Sequence, residues 1–336
     1  MSCLFNSYDP YFKQPFGALR AGQTMRLTLC IPEELGYVDP HLVLQKEGKY
    51  DVPVHYRMKF DGQTPQQNHF SVELPLNDPG LYFYYFDLYT DFRRIYRGPD
   101  NCGVVSWQEG EKWQITVYDA GFQTPECIKG KVFYQIFPDR FCNGTPEKNG
   151  ADIEKWRTGP VSNAERFGGN LEGIRKKLPY LHDLGISGIY LNPIMEAEST
   201  HKYDTRDYTK IDPQFGTNEE FARLVKEAHA HGIRIMVDAV FNHCGRSFGP
   251  WADVVEKKSG SPYADWFMIQ DWDAFERHGD TRDGRFYSFA FTDRMPKLNT
   301  NNPEVIRYFC QVCKRWIREF DIDGIRFDVG NEVSHR

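Results

Sequence analysis

A chain of 336 residues with 40% hydrophobic content holds enough apolar material for two domains with cores of their own. Its net charge of −6 is not gathered into a basic stripe, so neither nucleic acid nor an anionic membrane surface is an expected partner. Aromatics are plentiful at 15%; most such rings are ordinary core, and those beyond what a core needs often line sites for carbohydrate or other flat ligands.

Residues 1–15 carry no basic start followed by an apolar run, and no segment approaches eighteen uninterrupted apolar residues. No signal peptide or membrane span is expected, and the predicted setting is cytoplasmic. The eight cysteines, Cys3, Cys30, Cys102, Cys127, Cys142, Cys244, Cys310 and Cys313, lack regular spacing, which fits reduced thiols. Cys310 and Cys313 form a C-x-x-C, but they sit inside the helical pattern of Val305, Phe309, Val312, Trp316 and Phe320. Without a second cysteine pair they read as packing residues.

From residue 1 to about 123 the apolar residues come in short runs broken by turn residues. Met25 to Ile31, His41 to Gln45, Val54 to Phe60, His69 to Leu74, Leu81 to Thr90 and Trp113 to Val117 read as strands. The predicted breaks fall at Asp61-Gly62, Asn77-Asp78-Pro79-Gly80 and Gly98-Pro99-Asp100, and this spacing predicts an all-β sandwich over 1–123. The run Leu81-Tyr82-Phe83-Tyr84-Tyr85-Phe86 alternates between two aromatic faces, read either as core plus a tyrosine-bearing outer face or as a glycan platform.

After a hinge at Gly121 to Gly130 the rhythm becomes strand, helix, strand. Val132 to Phe137 is a strand, and Asn170 caps a helix carrying Leu171, Ile174, Leu178, Leu181 and Leu184. Ile186 to Leu191 is a buried strand. Thr217 and Glu220 form a capping box ahead of Phe221, Leu224, Val225 and Ala228, and Gly232 stops that helix. Ile233 to Phe241 is the third strand. Between Asn242 and Leu298 lies a long aromatic and glycine-rich insertion, predicted as a subdomain at about 244–299, and loops of this length are usually functional. Asn302 caps, and Pro303 opens, a helix ending near Phe320 that leads into a fourth strand, Ile322 to Asp328. Near-continuous apolar strands separated by amphipathic helices imply a parallel sheet. Four such units over 124–336 match the first half of a (β/α)8 barrel, whose active sites lie at the C-terminal ends of the strands.

The polar residues gather at those ends. Strand three closes with Asp238, Asn242 and His243, strand four with Arg326 and Asp328, and the segment after strand two holds His201, Tyr203, Asp204 and Asp207. In Ile325-Arg326-Phe327-Asp328 the strand alternation puts Arg326 and Asp328 on one face, a cation beside a carboxylate. Alone, that pair reads first as a structural ion pair and only second as a nucleophile kept ionised.

The stretches Asp238-Ala-Val-Phe-Asn242-His243, Met295-Pro-Lys-Leu-Asn299 and Gly324-Ile-Arg326-Phe-Asp328-Val-Gly-Asn-Glu332 resemble successive signatures of the α-amylase family, glycoside hydrolase family 13. The Met295 to Asn299 form and the tail Asn331-Glu332-Val333-Ser334-His335 resemble its neopullulanase, cyclomaltodextrinase and maltogenic amylase group. The opening Tyr8-Asp-Pro-Tyr-Phe-Lys-Gln-Pro-Phe-Gly-Ala is similar to that group's N-terminal β-domain. The resemblance implies a retaining hydrolase of α-1,4-linked maltooligosaccharides, cyclodextrins or pullulan, with transglycosylation alongside. It implies Asp328 as nucleophile and Arg326 as its partner, and it implies that Tyr203, His201 and His243 hold the sugar. Asp238 and Asn242 would shape the site, and Phe289 would contact a sugar ring.

The general acid and a further aspartate that the family carries on later strands do not occur before Arg336. The residues therefore read as a truncated copy of a larger enzyme, inactive alone. No cofactor is required. A tight calcium ion is not expected, because Thr145, Lys148 and Asn170 stand in a loop set that calcium wants rich in carboxylates. The resemblance also implies a homodimer. The competing reading from another class is a non-catalytic glucan-binding or assembly protein, and within the enzyme class a glucan-transferring or branching preference.

Overall fold

The computed structural model describes residues 3–48, 52–148, 150, 152–155, 157 and 159–334. His335, quoted in the motifs above, lies outside the described residues. The chain divides into two compact units, Met1–Thr124 and Pro125–Arg336.

The first unit is built from β1 (Lys13–Gln14), β2 (Leu19–Arg20), β3 (Gln23–Pro32), β4 (His41–Lys46), β5 (Val54–Arg57) and β6 (Lys59–Thr64). It continues with β7 (Gln67–Leu76), β8 (Gly80–Asp87), β9 (Arg94–Arg97), β10 (Gly103–Ser106) and β11 (Trp113–Tyr118). One sheet runs β1-β3-β7-β6; the other runs β10-β9-β8-β11-β2, with β4 on β8 and β5 on β4. Alternation along β8 and β11 buries every second side chain, and Leu27, Leu29 and Ile31 meet Leu42, Tyr84, Phe86 and Trp113 in a single core. This is the expected sandwich.

Three details differ from the sequence reading. The strand expected over Val54 to Phe60 divides at Met58. Asp61-Gly62 is not a break: β6 runs through it with a register shift between Phe60 and Gly62, where glycine at φ 138° accommodates the irregularity. The strand expected to reach Thr90 stops at Asp87, because Tyr89, Asp91 and Phe92 take positive φ in a turn. The outer face of β8 is covered from within its own unit: Tyr85 stacks on Tyr96 at 4.9 Å, with Arg94 and Lys112 over its ring.

The second unit contains β12 (Phe133–Ile136), β13 (Gly188–Leu191), β14 (Met195–Ala197), β15 (Thr205–Ile211), β16 (Arg234–Ala239) and β17 (Gly324–Phe327). Its helices are α1 (Pro138–Phe141), α2 (Leu171–Lys176), α3 (Leu178–Asp183), α4 (Asn218–Ala230), α5 (Gly249–Lys257) and α6 (Pro303–Phe320). Strands β12, β13, β16 and β17 pair in chain order, each parallel to the next, while β14 and β15 form a separate antiparallel pair. Four sequential parallel strands with intervening helices are the first half of a (β/α)8 barrel.

The caps are where the sequence put them. Thr217 and Glu220 form both bonds of a capping box on α4, and the Asn302 and Asn170 side chains accept from Glu304 N and Gly173 N. The predicted helix through Leu184 is instead two: Lys177 leaves helical geometry ahead of Leu178-Pro179, and Leu184 ends 53% exposed. Gly173 has no alternative, because a Cβ there would collide with the carbonyl oxygen of Cys142. The stretch 242–298 is more ordered than a loop. It holds α5, and Trp251, Phe267, Phe275 and Phe286 pack into the same core as the barrel strands. On α6, Val305, Phe309, Val312, Trp316 and Phe320 are the buried stripe, and Trp316 Nε1 donates to Tyr208 O at 2.8 Å.

Candidate active site

Parallel pairing sets Asp238 of β16 opposite Arg326 of β17. Asp328 follows directly after β17, its amide donating to Ala239 O at 3.1 Å, and Val329 beyond it turns the chain at φ 48°. One atom ties the two carboxylates together. Arg326 Nη1 donates to Asp328 Oδ1 at 2.6 Å and to both Asp238 oxygens at 3.1 and 3.2 Å. The pair read from Arg326 and Asp328 is thus a triad of charges. Burial opposes the charge on Arg326, but Asp238 and Asp328 outweigh it and hold the guanidinium firmly protonated.

The two carboxylates differ in what else they touch. Asp238 Oδ2 also accepts from the hydroxyls of Tyr190 and of Tyr203, the latter at 3.1 Å, and its side chain is fully buried. Burial raises its pKa above the ordinary carboxylate value, while the Tyr190 hydrogen bond and the Arg326 charge pull it back down. Burial and then Asp238 push the Tyr190 hydroxyl well up, so it stays a donor. With both oxygens engaged, Asp238 is a fixed anchor for Arg326 and Tyr203. Asp328 keeps 12% of its side chain exposed, and Arg326 is the one side chain hydrogen-bonded to it among the described residues. That leaves it the carboxylate with room for an incoming atom.

Tyr203 and His201 sit on the segment between β14 and β15. Tyr203 also receives the Asn192 amide at 3.1 Å, and its own backbone N–H donates to His201 Nδ1 at 3.1 Å. Burial lowers the basicity of His201, with Asp204 pulling the other way. Between them in sequence lies Lys202, at φ 62° and buried, its Nζ 2.8 Å from Asp212 Oδ2 and 3.2 Å from Ala197 O. This internal ion pair pins the backbone that carries both neighbours.

His243 is fully buried, and its ring stacks on Phe289 at 4.6 Å and 14°. Asn242 lies beside it, and its carbonyl accepts from Leu298 N at 2.9 Å, holding the Met295 to Asn299 segment over the site. His243 Nε2 and Asn242 Oδ1 are buried with no hydrogen-bond partner among the described residues. Groups in that condition call for a ligand or water. Burial pushes the imidazole down to about 4 even though the Asp328 carboxylate draws it up, so it is neutral near pH 7.

This has a consequence for stability. The unfolded chain takes up the His243 proton at its ordinary 6.5, and the folded chain does so only near 4. The contribution is complete above pH 6.5 and is lost as pH falls towards 4, a change of about 3 kcal/mol. Urea midpoints between pH 7 and pH 4.5 are expected to fall more steeply for the natural protein than for a His243→Gln variant.

The structure thus brings Asp328, Arg326, Asp238 and Tyr203 together by direct bonds, His201 with Tyr203, and His243 with Asn242 and Phe289. It does not bring Asp204 and Asp207 to the same place. Asp204 accepts from Ser199 N, and Asp207 from Thr209 N. Tyr190, Asn192 and Lys202 were missed. Alternation from the strand end gave a signal for Tyr190 and Asn192; nothing local gave one for Lys202.

In the segment read for calcium, the Asn170 side chain accepts from Gly144 N and Gly173 N and donates to Thr145 Oγ1 at 2.8 Å. Glu172 is held by Arg175 and Arg223. The Asn170 and Glu172 oxygens are thus engaged by the chain itself, and no group of three His, Cys, Asp or Glu side chains suited to a metal occurs among the described residues. The donor set does not fit a tight calcium ion. Chelation with EDTA is expected to leave the melting temperature unchanged, and a calcium titration to give no submicromolar binding.

Residues 135–336 match the model of the α-amylase catalytic domain. A cyclomaltodextrinase of Geobacillus thermopakistaniensis is 51% identical over 215 residues, covering 64% of this chain and 36% of the relative. A maltogenic α-amylase of Bacillus acidopullulyticus is 49% identical over 214 residues, again 64% and 36%. Among solved structures, a cyclomaltodextrinase overlays with TM-score 0.63 at 30% identity, over 99% of this chain and 56% of that one. A cyclic α-maltosyl-(1→6)-maltose hydrolase of Arthrobacter globiformis, in complex with that sugar, gives 0.57 at 38% identity over 64% and 47%. The matched stretch spans about a third of the length of these curated relatives. No described helix is long and apolar enough to cross a membrane. With strand order, site geometry and a match over most of the second unit in agreement, the chain belongs to the α-amylase family of glycoside hydrolases.

Proposed function

We propose that the protein is a retaining α-glucan hydrolase cutting α-1,4 links in maltooligosaccharides, cyclodextrins or pullulan. The observation that carries this reading is the Arg326 guanidinium set between an anchored Asp238 and a partly open Asp328 at adjacent strand ends. Asp328, paired with Arg326, attacks the anomeric carbon and forms a glycosyl ester as the glycosidic C–O bond breaks, and water then releases the sugar with its configuration kept. Tyr203 and His201 bear on the sugar ring, and the unpartnered His243 Nε2 and Asn242 Oδ1 meet its hydroxyls. Phe289, proposed to contact a sugar ring, also stacks on the His243 ring. Names such as cyclomaltodextrinase, maltogenic amylase and neopullulanase among the relatives support the substrate class.

The mechanism also needs a protonated carboxylic acid about 5 Å from the nucleophile. None of the described residues meets that need: Asp238 has both oxygens engaged, and Glu332 is paired with Lys297. A polypeptide of residues 1–336 alone is therefore expected not to turn over maltotriose. For the full-length protein, product analysis on β-cyclodextrin, pullulan and starch, with NMR of the first product, is expected to give short maltooligosaccharides released as the α-anomer. Initial release of the β-anomer would mean inversion and remove the nucleophile role. Elongated or branched products as the main outcome would favour the transferase reading. Light scattering of the full-length protein is expected to give a homodimer.

A further inference from the structure

The first unit starts with a segment that is bound along its length. The Phe5 side chain is fully buried, its ring meeting those of Trp113 at 4.8 Å and Phe86 at 4.9 Å. The backbone on either side is paired: Cys30 N donates to Leu4 O at 2.9 Å, Gly103 N donates to Phe5 O at 2.8 Å, and Asn6 bridges Cys102 antiparallel. The register of these bonds brings Cys3 to the strand that begins just after Cys102. Cys3 Sγ lies 3.0 Å from Cys102 Sγ and donates to it, with Phe5 O at 3.2 Å as a second acceptor. Asn6 Nδ2 approaches Cys102 Sγ at 3.7 Å from the other side. Both thiols are partly exposed, unlike the buried Cys30 and Cys244.

We propose that Cys3 and Cys102 are a site of covalent modification, closing to an intramolecular disulfide when the protein meets a small-molecule disulfide such as oxidised glutathione. Packing around Phe5 holds the two sulfurs in contact, so closure requires about 1 Å of approach to a bonded distance near 2.05 Å. In the first step a thiolate of the pair attacks the small disulfide, releasing one small thiol and leaving a mixed disulfide. In the second the other thiolate attacks the protein-bound sulfur, forming the Cys3–Cys102 bond and releasing the second small thiol. One S–S bond breaks and one forms, the two cysteines are oxidised, and their two protons leave on the two small thiols. Burial and the hydrogen bond to Cys102 push the Cys3 thiol up to about 11, so its step is the slower one at neutral pH and quickens in alkali. The bond would tie residue 3 to residue 102 and remove that freedom from the unfolded chain.

The test uses the native full-length protein, incubated with oxidised glutathione at pH 7 and pH 9, alkylated with iodoacetamide and digested with trypsin without reduction. The expected result is a fragment joining residues 1–13 to residues 98–112, two hydrogens lighter than the separate peptides, forming severalfold faster at pH 9. An upward shift in the first unit's melting temperature on the order of 5 °C should accompany it and vanish with dithiothreitol. In the Cys102→Ser protein, Cys3 should carry glutathione or remain alkylatable. Recovery of both natural peptides unlinked, whether alkylated or glutathionylated, would overturn the proposal, as would preferential linkage of either cysteine to another partner.

Discussion

Asp328→Asn in the full-length protein is expected to lower kcat on maltooligosaccharides by at least about 10⁴-fold, the scale on which removal of a nucleophile acts in other covalent mechanisms. KM should move little, since the sugar contacts proposed for Tyr203, His201 and His243 are untouched. Folding should be unaffected, because Asp328 is partly open and Arg326 retains its bonds to both oxygens of Asp238. Asparagine keeps the size and one acceptor but cannot form the glycosyl ester. A kcat within tenfold of the natural protein would assign the nucleophile elsewhere. Asp238→Asn makes the informative contrast: it weakens the anchor of Arg326 and Tyr203, so activity should fall together with stability.

Lys202→Met should produce the largest change in stability. The Lys202 ammonium and the Asp212 carboxylate are 2% and 6% exposed at 2.8 Å, with Phe215 beneath the cation at 5.4 Å. Methionine fills the space of the stem but leaves the Asp212 carboxyl buried without its cation, retaining the N–H bonds from Ala197 and Gln214. Breaking one side of such a pair costs about 3–5 kcal/mol. A second change, Asp212→Asn, should recover a large part of that loss, and denaturant unfolding of the single and double variants measures the coupling. A loss under about 1 kcal/mol would mean that water reaches the pair. The segment freed by Lys202→Met carries His201 and Tyr203, so KM should rise in the same variant.

That Asp238, His243, Arg326 and Asp328 gather at strand ends could be read from sequence because strand ends follow from local patterning; the roles proposed for them came from the resemblance to the α-amylase family. The sandwich and the order of the parallel strands were legible for the same reason: alternation on β8 and β11, and continuous burial on β13 and β16, are written residue by residue. What depended on tertiary partners was not. Lys202 looks like any surface lysine until Asp212, ten residues on, is folded against it. The division of the predicted helix near Lys177 and the register shift at Gly62 each shift a local pattern by a residue or two without erasing it. Trp251, Phe267, Phe275 and Phe286 show as aromatics in the sequence, but only packing makes them core.

The role of Asp328 is tested most directly by trapping the covalent intermediate. The full-length protein, treated with a fluorinated α-glucosyl fluoride that forms the glycosyl ester quickly and releases it slowly, should gain one sugar mass. Peptide mapping should then place that mass on the fragment of residues 327–336, with fragmentation assigning it to Asp328. A sugar found on Glu332, on Asp238 or on a residue outside that fragment would contradict the account.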